Sequence, residues 1–204
     1  GINLAKKNFP LIFVLDDDVD LLEKYLDEAL REFNSNKNLI GLGGIDIYSK
    51  HKNYLSWPTK LWFKAFFLSR MEKNRFEIVG PYGVIGARKV KRPVRNAQWL
   101  PGFNEFFRRE VFSNYKMPES IGYNVLEDID SSYYIFKKYG LGSLVITPKC
   151  RAVHRFSQTA RYAEKKRIFV NHEDHFYFYF KYFRNISVTL KMVWSLIGII
   201  FGTI

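Results

Sequence analysis

LIFVLDDD, residues 11–18, joins a run of five apolar residues to three consecutive aspartates. A short apolar run is typical of a strand buried on both faces, as in a parallel sheet. Open α/β sheets bind ligands beyond the carboxyl ends of their strands, which is where Asp16, Asp17 and Asp18 stand. Adjacent carboxylates repel one another unless a cation or hydrogen-bond donors receive them. The stretch therefore predicts an α/β fold with an acidic site suited to a hard divalent cation such as Mg²⁺.

A helix cap is the competing interpretation of these aspartates. Residues 20–33, DLLEKYLDEALREF, have helical periodicity, and their apolar residues share one face. That face consists of Leu22, Tyr25, Leu26, Ala29, Leu30 and Phe33. Asp18 or Asp20 could cap this helix, since acids near a helix N-terminus suit its dipole. The triplet alone leaves the cap and the metal site open.

The charge of the chain is unevenly distributed. Its 204 residues carry a net charge of +12, yet residues 1–48 hold five Lys or Arg and nine Asp or Glu. Residues 49–204 hold the other 27 basic and 11 acidic residues. Such a basic surface suits nucleic acid, an anionic membrane or a phosphorylated substrate, and it also occurs as a plain solvated face.

Length and composition narrow the class of protein further. The chain is long enough for one domain with a substantial core, and an aromatic content of 18% disfavours disorder. Cys150 is the only cysteine, which excludes an internal disulfide and a cysteine-based metal site.

The remaining pattern alternates between strands and helices. Strands are predicted at 39–47, 78–88 and 143–148, and helices at 104–113, 127–139 and about 160–184. Gly140 follows the second of these helices, where glycine commonly ends a helix. This alternation favours an α/β domain with a mostly parallel sheet flanked by helices.

Two stretches favour contact with a membrane. Residues 59–70, TKLWFKAFFLSR, interleave aromatic and basic residues, as at a lipid headgroup boundary. Residues 186–204 contain Lys191 as their only charged residue. We therefore divide the chain into a folded domain, 1–185, and an apolar membrane-associated segment, 186–204. The alternative is that both stretches are helices packed within the domain, with the lysines of 59–70 extended along its surface.

A second acidic cluster and a histidine follow downstream. Glu127, Asp128 and Asp130 open the helix predicted at 127–139, and His154 follows the strand predicted at 143–148. Acids at a helix N-terminus commonly serve its dipole, and a lone histidine after a strand is more often structural. Two acidic clusters also suit a joint site, in which one holds a metal and phosphates and the other supplies a carboxylate base.

The order of these motifs resembles that of family 2 glycosyltransferases, which have the GT-A fold. The motifs are LDDDV at 15–19, WLPGFNEFFRREVF at 99–112, LEDIDSSYYIFKKYG at 126–140 and TPKCRAVHRFS at 147–157. In that family a strand ends in Asp-x-Asp, and a glycine-containing segment leads to a helix with an Arg-Arg pair. A Glu-Asp motif then opens a helix, and a histidine follows a strand that ends in proline. The resemblance covers about residues 1–160.

The resemblance implies a Rossmann-like, GT-A-like sheet. The first strands of the nucleotide-binding half are missing from residues 1–204, so either the chain is a fragment or the missing part comes from elsewhere. The chain alone is not expected to be a complete enzyme. Residues 1–185 would form part of the catalytic domain.

The resemblance also implies a metal and donor site. Asp18 and Asp16 would hold Mg²⁺ or Mn²⁺ against the diphosphate of a nucleotide-sugar donor, and His154 would complete the set. Asp16 or Asp17 would also contact the sugar or ribose of the donor. Arg161 would meet the diphosphate.

An acceptor side is implied as well. Asp128 would be the base that deprotonates the acceptor hydroxyl, with Glu127 beside it. Trp99 and Gly102 would line the pocket for the sugar and the acceptor. Arg109 would anchor its helix or pair with a nearby acid.

The implied activity is inverting, metal-dependent transfer of a sugar to a glycan or lipid-linked acceptor in the synthesis of a cell-surface polysaccharide. The enzyme would lie at the cytoplasmic face of the cell membrane, against an anionic surface, with no nucleic-acid partner. Two alternatives remain open. One is a metal-dependent nucleotidyltransferase, which also uses paired carboxylates on an α/β sheet. The other is a non-catalytic basic module that binds membrane or nucleic acid.

Overall fold

The computed structural model describes residues 2–48, 56–80, 82–87, 89–115, 126–155 and 164–202. The helices are α1 (Ile2–Asn8), α2 (Tyr25–Ser35), α3 (Trp57–Ala65), α4 (Val111–Asn114), α5 (Glu127–Tyr139), α6 (Glu164–Tyr182) and α7 (Ile186–Gly202). The strands are β1 (Leu11–Leu15), β2 (Val19–Leu21), β3 (Gly41–Asp46), β4 (Arg70–Met71), β5 (Glu77–Gly80), β6 (Gly83–Gly86), β7 (Asn104–Arg108) and β8 (Leu144–His154).

The main sheet has five strands in the order β1-β7-β3-β8-β2, and a smaller sheet has the order β4-β6-β5. In the main sheet β3 and β8 run parallel, whereas the other three neighbouring pairs are antiparallel. The prediction of an α/β fold is confirmed. The prediction of a mostly parallel sheet is wrong for the strands that the structure describes, because β7 runs against both of its neighbours.

β7 departs furthest from the sequence prediction. The pattern of residues 104–113 predicts a helix, but Asn104–Arg108 form a strand and only Val111–Asn114 are helical. β7 buries Phe106 against one layer of the core and Phe107 against the other. Because both faces are covered, the segment lacks the alternation of polar and apolar residues that identifies a half-buried strand.

β1 lies at the edge of the main sheet. Among the described strands it pairs only with β7, and Ile12 is its only buried residue. The prediction that residues 11–15 form a fully buried strand of a parallel sheet is therefore wrong for this part of the chain. An apolar run reports hydrophobicity, but it does not report which strands stand beside it.

The helix predicted at 20–33 begins later than its periodicity indicates. Val19–Leu21 form β2, which pairs with the end of β8, and α2 begins only at Tyr25. Asp20 therefore lies in a strand, where its carboxylate is 2.6 Å from the guanidinium of Arg155. No side chain caps α2, so the prediction that Asp18 or Asp20 caps it is wrong.

Helices cover both faces of the main sheet. On one face α2 packs Tyr25, Ala29 and Phe33 into the core, whereas Leu26 and Leu30, predicted on the same face, are about half exposed. On the other face α5 packs against the sheet in a cluster that also includes residues of α4. α5 has the predicted bounds and is followed by Gly140, whose φ of 81° ends the helix at low cost in strain.

α3, α6 and α7 form a third apolar cluster with the smaller sheet. The Trp62 indole N–H of α3 donates to the carbonyl of Gly198, and the Trp194 indole N–H of α7 donates to the carbonyl of Ala65. The buried members of the cluster are Leu68, Tyr82, Tyr179 and Met192. Among the described helices, none combines the length and apolar character needed to cross a membrane.

An ion pair between a buried aspartate and a partly exposed lysine joins α5 to α6. Both carboxylate oxygens of Asp130, which is fully buried, accept hydrogen bonds from Lys181 Nζ, at 2.9 and 2.7 Å. The hydroxyl of Tyr115 donates to Oδ2 of Asp130 at 2.5 Å. The Lys181 ammonium also lies over the rings of Tyr115, Tyr177 and Tyr182. This pair holds the helix that carries Glu127 and Asp128 against the helical layer.

Replacing Lys181 with methionine is expected to lower the free energy of unfolding by about 3 kcal/mol, because it leaves a buried carboxylate without its cation. The double change Asp130→Asn with Lys181→Met should cost less than Lys181→Met alone, since no unpaired charge then remains. Urea denaturation measures both. Lys137→Met, at an exposed lysine of α5, is the matched control. A double variant less stable than the single would contradict the charge argument.

Candidate functional site

Two of the three aspartates meet His154 beyond the end of β1. The Nε2 atom of His154, the last residue of β8, lies 3.1 Å from Asp18 Oδ1 and 3.9 Å from Asp16 Oδ2. One potential ligand atom from each of the three residues lies within 4.8 Å of the others. The structure thus brings together the three residues predicted to hold a metal. Asp17 is exposed and stands outside this cluster.

Main-chain hydrogen bonds fix the cluster. The Arg155 N–H donates to the carbonyl of Asp18 at 2.9 Å, as β2 pairs with the end of β8. The Asp16 N–H donates to the carbonyl of Phe103 at 3.2 Å. The Phe103 ring stacks on the imidazole of His154, with 5.2 Å between centroids. The imidazole is therefore oriented by a ring on one side and by β2 on the other.

The atoms of this cluster suit a divalent cation. Carboxylate oxygens are the ligands that Mg²⁺ and Mn²⁺ prefer, and imidazole extends the set toward transition metals such as Mn²⁺. Burial raises the pKa of Asp16, the imidazole of His154 opposes this, and the charges of Asp18 and Asp17 add to the rise. A cation would stabilise the ionised carboxylate that this setting disfavours.

Asp128 lies in the first turn of α5 with both oxygens hydrogen-bonded. Its Oδ1 accepts from the Ile129 N–H at 2.7 Å, and its Oδ2 accepts from the Gly102 N–H at 3.1 Å. Burial, followed by the charge of Glu127, raises the pKa of Asp128 to about 7 against the effect of these bonds. A carboxylate with a pKa near neutrality is suited to act as a general base.

Glu127 stands beside Asp128 and is also largely enclosed. Its Oε2 atom is buried and has no hydrogen-bond partner within the described residues. Burial raises the pKa of Glu127, and the charge of Asp16 adds to this rise. The charge of Asp16, in the first cluster, therefore acts in the same direction as burial on the pKa of Glu127, in the second.

Residues 101–103 connect the two clusters. Gly102 holds the carboxylate of Asp128, while the next residue, Phe103, holds the main chain of Asp16 and the ring of His154. A Cβ atom on Gly102 would stand 3.0 Å from the Cβ of Asp128 and 3.2 Å from its Oδ2. A side chain here would therefore press on Asp128 and require its side chain to shift by a few tenths of an ångström.

A cavity of about 590 Å³ opens beside His154 and Phe103. Its lining is mainly apolar and aromatic, with Lys89, Asp46 and His154 as the polar members. Trp99 lines the cavity as predicted and is fixed there by its indole N–H, which donates to the carbonyl of Ile85 at 3.0 Å. Gly102 was predicted to line the pocket, but its contact is with Asp128 and it is not part of the cavity wall.

Of the two neighbouring arginines, Arg108 is the one whose side chain makes hydrogen bonds within the described structure. Arg109, which was expected to anchor its helix or pair with an acid, is exposed, and its main-chain N–H donates to the carbonyl of Pro10 at 3.0 Å. The Arg108 guanidinium donates to the carbonyls of Leu39 at 2.7 Å and Phe33 at 3.0 Å, and so holds the C-terminal end of α2. Arg161, expected to meet the diphosphate, lies outside the described residues.

Glu105 is a site residue that the sequence prediction missed. It is buried on β7, with its Oε1 atom 3.4 Å from the hydroxyl of Ser132 on α5. Burial, and then the charges of Asp128 and Glu127, raise the pKa of Glu105 well above its ordinary value. The mistaken helix at 104–113 concealed it. In a strand, alternation puts Glu105 with Phe107 on the α5 face.

Asp46 is a second missed residue. Its Oδ1 accepts from the main-chain N–H groups of Tyr48 at 3.0 Å and His154 at 3.3 Å. Its Oδ2 is buried and has no hydrogen-bond partner in the described part of the chain. Asp46 ends β3, beside the parallel strand β8, so the carboxyl end of a strand was the available signal.

A comparison with protein-family models gives no match for this sequence. Nor does any curated protein match it. The residues and their geometry are therefore the basis on which a function is proposed.

Replacing Asp128 with asparagine tests whether the fold raises the pKa of this carboxyl, because a raised pKa makes the free energy of unfolding depend on pH. The carboxyl has an ordinary pKa of 3.8 and a pKa of about 7 in the fold. The folded state therefore binds more protons between these values, and the wild type loses stability as the pH rises through this window. The free energy of unfolding of the variant, relative to that of the wild type, should therefore rise by up to about 4 kcal/mol between pH 4 and pH 8.

Urea unfolding across this pH range measures the effect. The change with pH is the decisive quantity, because any constant loss of hydrogen bonds in the variant cancels. Stability curves that stay parallel would show that the Asp128 carboxyl is not perturbed by the fold.

Proposed function

We propose that this protein is a metal-dependent, inverting glycosyltransferase with a GT-A-like sheet. It would move a sugar from a nucleotide-diphosphate donor to a hydroxyl of a glycan or lipid-linked acceptor. The observation that carries the proposal is that residues 101–103 join two acidic clusters of different character. Asp16, Asp18 and His154 form a set of ligand atoms suited to a cation, while Asp128 is a partly buried carboxyl whose pKa is raised to about 7.

The donor side is the cluster at the end of β1. Asp16 and Asp18 would contribute carboxylate oxygens and His154 its Nε2 atom. A divalent cation held there would offset the negative charge that develops on the departing diphosphate. The acidic cluster would repel a diphosphate without such an ion, so the residues themselves favour a metal-dependent reaction.

The acceptor side is the cluster at the start of α5. In a single displacement the acceptor oxygen bonds to the anomeric carbon, the bond from that carbon to the diphosphate breaks, and the configuration inverts. The hydroxyl proton passes to the carboxylate of Asp128. Its bonds to the N–H groups of Gly102 and Ile129 hold that carboxylate in place and leave it lone pairs for the proton.

The cavity supplies a place for the sugar. Its wall joins Trp99 and Phe76, whose rings meet edge to face at 5.1 Å, to His154 of the metal set. Aromatic faces suit the apolar faces of sugar rings, and Asp46 and Lys89 offer polar contacts for hydroxyl groups.

Mn²⁺-dependent binding of UDP tests the donor side. Asp18→Asn should weaken binding at least tenfold, because it removes one charged ligand from the three-residue set. Isothermal titration of UDP with and without Mn²⁺ measures this effect. Asp27→Asn, at an exposed carboxylate of α2, is the matched control and should bind as the wild type does. Equal binding by Asp18→Asn and the control would rule out the proposed donor site.

Asp128→Asn tests the acceptor side. It should lower sugar transfer by about 10²–10⁴-fold, the usual contribution of a general base, and leave the affinity for UDP and Mn²⁺ nearly unchanged. The wild-type rate should rise with pH and level off above about pH 7, since the base acts when ionised. Release of UDP or GDP from a panel of nucleotide sugars by the full-length gene product measures both effects. Full activity in Asp128→Asn would exclude this residue as the base.

A further inference from the structure

The outer face of α7 is largely apolar, with the exposed Ser187 and Thr189 at its edges. With 3.6 residues per turn, its exposed large side chains fall on one strip about 120° wide. These are Ile186, Leu190, Val193, Trp194, Ile200 and Phe201, with exposed fractions from 47% to 81%. The small or polar residues Ser195 and Gly198 face inward, where they are buried. Apolar residues also pack inward, among them Met192 and Leu196. α7 is therefore apolar on both sides, unlike a helix that covers a core with one side and faces water with the other.

α3, which packs beside α7, also exposes large apolar residues. The two helices are in close contact, since Phe66 stacks on Trp194 at 4.9 Å and a Cβ atom on Gly198 would overlap the Phe66 ring. Trp57, which is 72% exposed, and Leu61, which is 46% exposed, lie one turn apart on the outer side of α3. Exposed large apolar residues on two contacting helices are more than the scattered single residues of an ordinary surface, and we call them together the α3–α7 surface.

Basic residues border this surface. Lys60 and Lys64 are exposed on α3 at positions that flank Trp57 and Leu61 on the outer face. Arg184, between α6 and α7, is also exposed. The sequence contains no Asp or Glu in residues 49–71 or 175–204. The carboxylates that follow, Glu72 and Glu77, form ion pairs with Arg70 and Arg75.

We infer that the α3–α7 surface docks on an anionic lipid bilayer, with both helices lying along the interface. Apolar and tryptophan side chains would enter the headgroup boundary while the lysines meet lipid phosphates, which is the arrangement that interfacial helices use. Charge decides between this occupant and a second copy of the chain. Two copies facing each other through this surface would bring the same cations together without acids to receive them.

Flotation with vesicles tests the inference, using the 204-residue chain without metal or nucleotide. Vesicles of phosphatidylcholine are compared with vesicles that also contain phosphatidylglycerol. The wild type should float with the anionic vesicles. Leu190→Glu with Ile200→Glu should reduce binding more than tenfold, since burial of one leucine-sized side chain alone shifts an equilibrium by roughly tenfold. Leu141→Glu, at a leucine that is 72% exposed at the turn before β8, is the matched control and should float like the wild type.

A variant that reverses two charges measures the electrostatic contribution to vesicle binding. Lys60→Glu with Lys64→Glu should weaken binding to the anionic vesicles by about fivefold for each lysine lost, and added salt should reduce the difference. All substituted positions are exposed, so matching circular dichroism spectra and melting curves will show that the variants fold.

Three results would overturn the inference. They are a wild type that fails to float, equal flotation of the Leu190→Glu/Ile200→Glu variant and the control, and a wild-type dimer in light scattering that the same variant dissociates. The last result would assign the surface to a second copy. The flotation experiment contains no donor or metal, so a failure of vesicle binding would not count against the proposed sugar transfer. A failure of sugar transfer would likewise not count against membrane docking.

Discussion

The hydrogen bond from the Gly102 N–H to Asp128 Oδ2 is the contact on which the candidate site depends. It brings the start of α5 against the segment that enters β7, and the next residue, Phe103, holds both Asp16 and His154. Placing a carboxylate there costs solvation, which raises its pKa, and the two main-chain donors limit that cost. One short segment therefore sets the distance between an acidic cluster suited to a cation and a carboxylate suited to a proton.

Burial gives similar carboxyl groups different properties around this segment. Asp18 contacts an imidazole in a partly exposed cluster, Asp128 is enclosed but hydrogen-bonded, and Glu105 is buried beneath α5 with a hydroxyl as neighbour. Sites that divide charge binding from proton transfer commonly place similar carboxyl groups in such different environments. The remote pair of Asp130 and Lys181 supports this division, because it fixes α5 from its other side.

Sequence reasoning succeeded where a signal is local. Helix α5, with its initial acids and the terminal Gly140, has the predicted bounds, and Asp16, Asp18 and His154 do meet. Sequence reasoning failed where the structure of a segment depends on the strands that pair with it. Asn104–Arg108 became a strand because two strands lie beside it, and this error concealed Glu105. Asp20 joined β2 rather than a helix because the end of β8 offers main-chain partners at that point.

The sequence by itself determined the chemistry available: three aspartates after an apolar run, a Glu-Asp pair at a helix start, and an acid-free stretch rich in aromatic and apolar residues. Only the tertiary structure decided which of these groups share an environment. It paired β2 with β8 and so selected Asp18 and Asp16 over Asp17 for His154, and it turned the apolar strip of α7 outward. The physical reason is that composition and periodicity record preferences along the chain, whereas burial, charge coupling and exposure depend on residues distant in sequence.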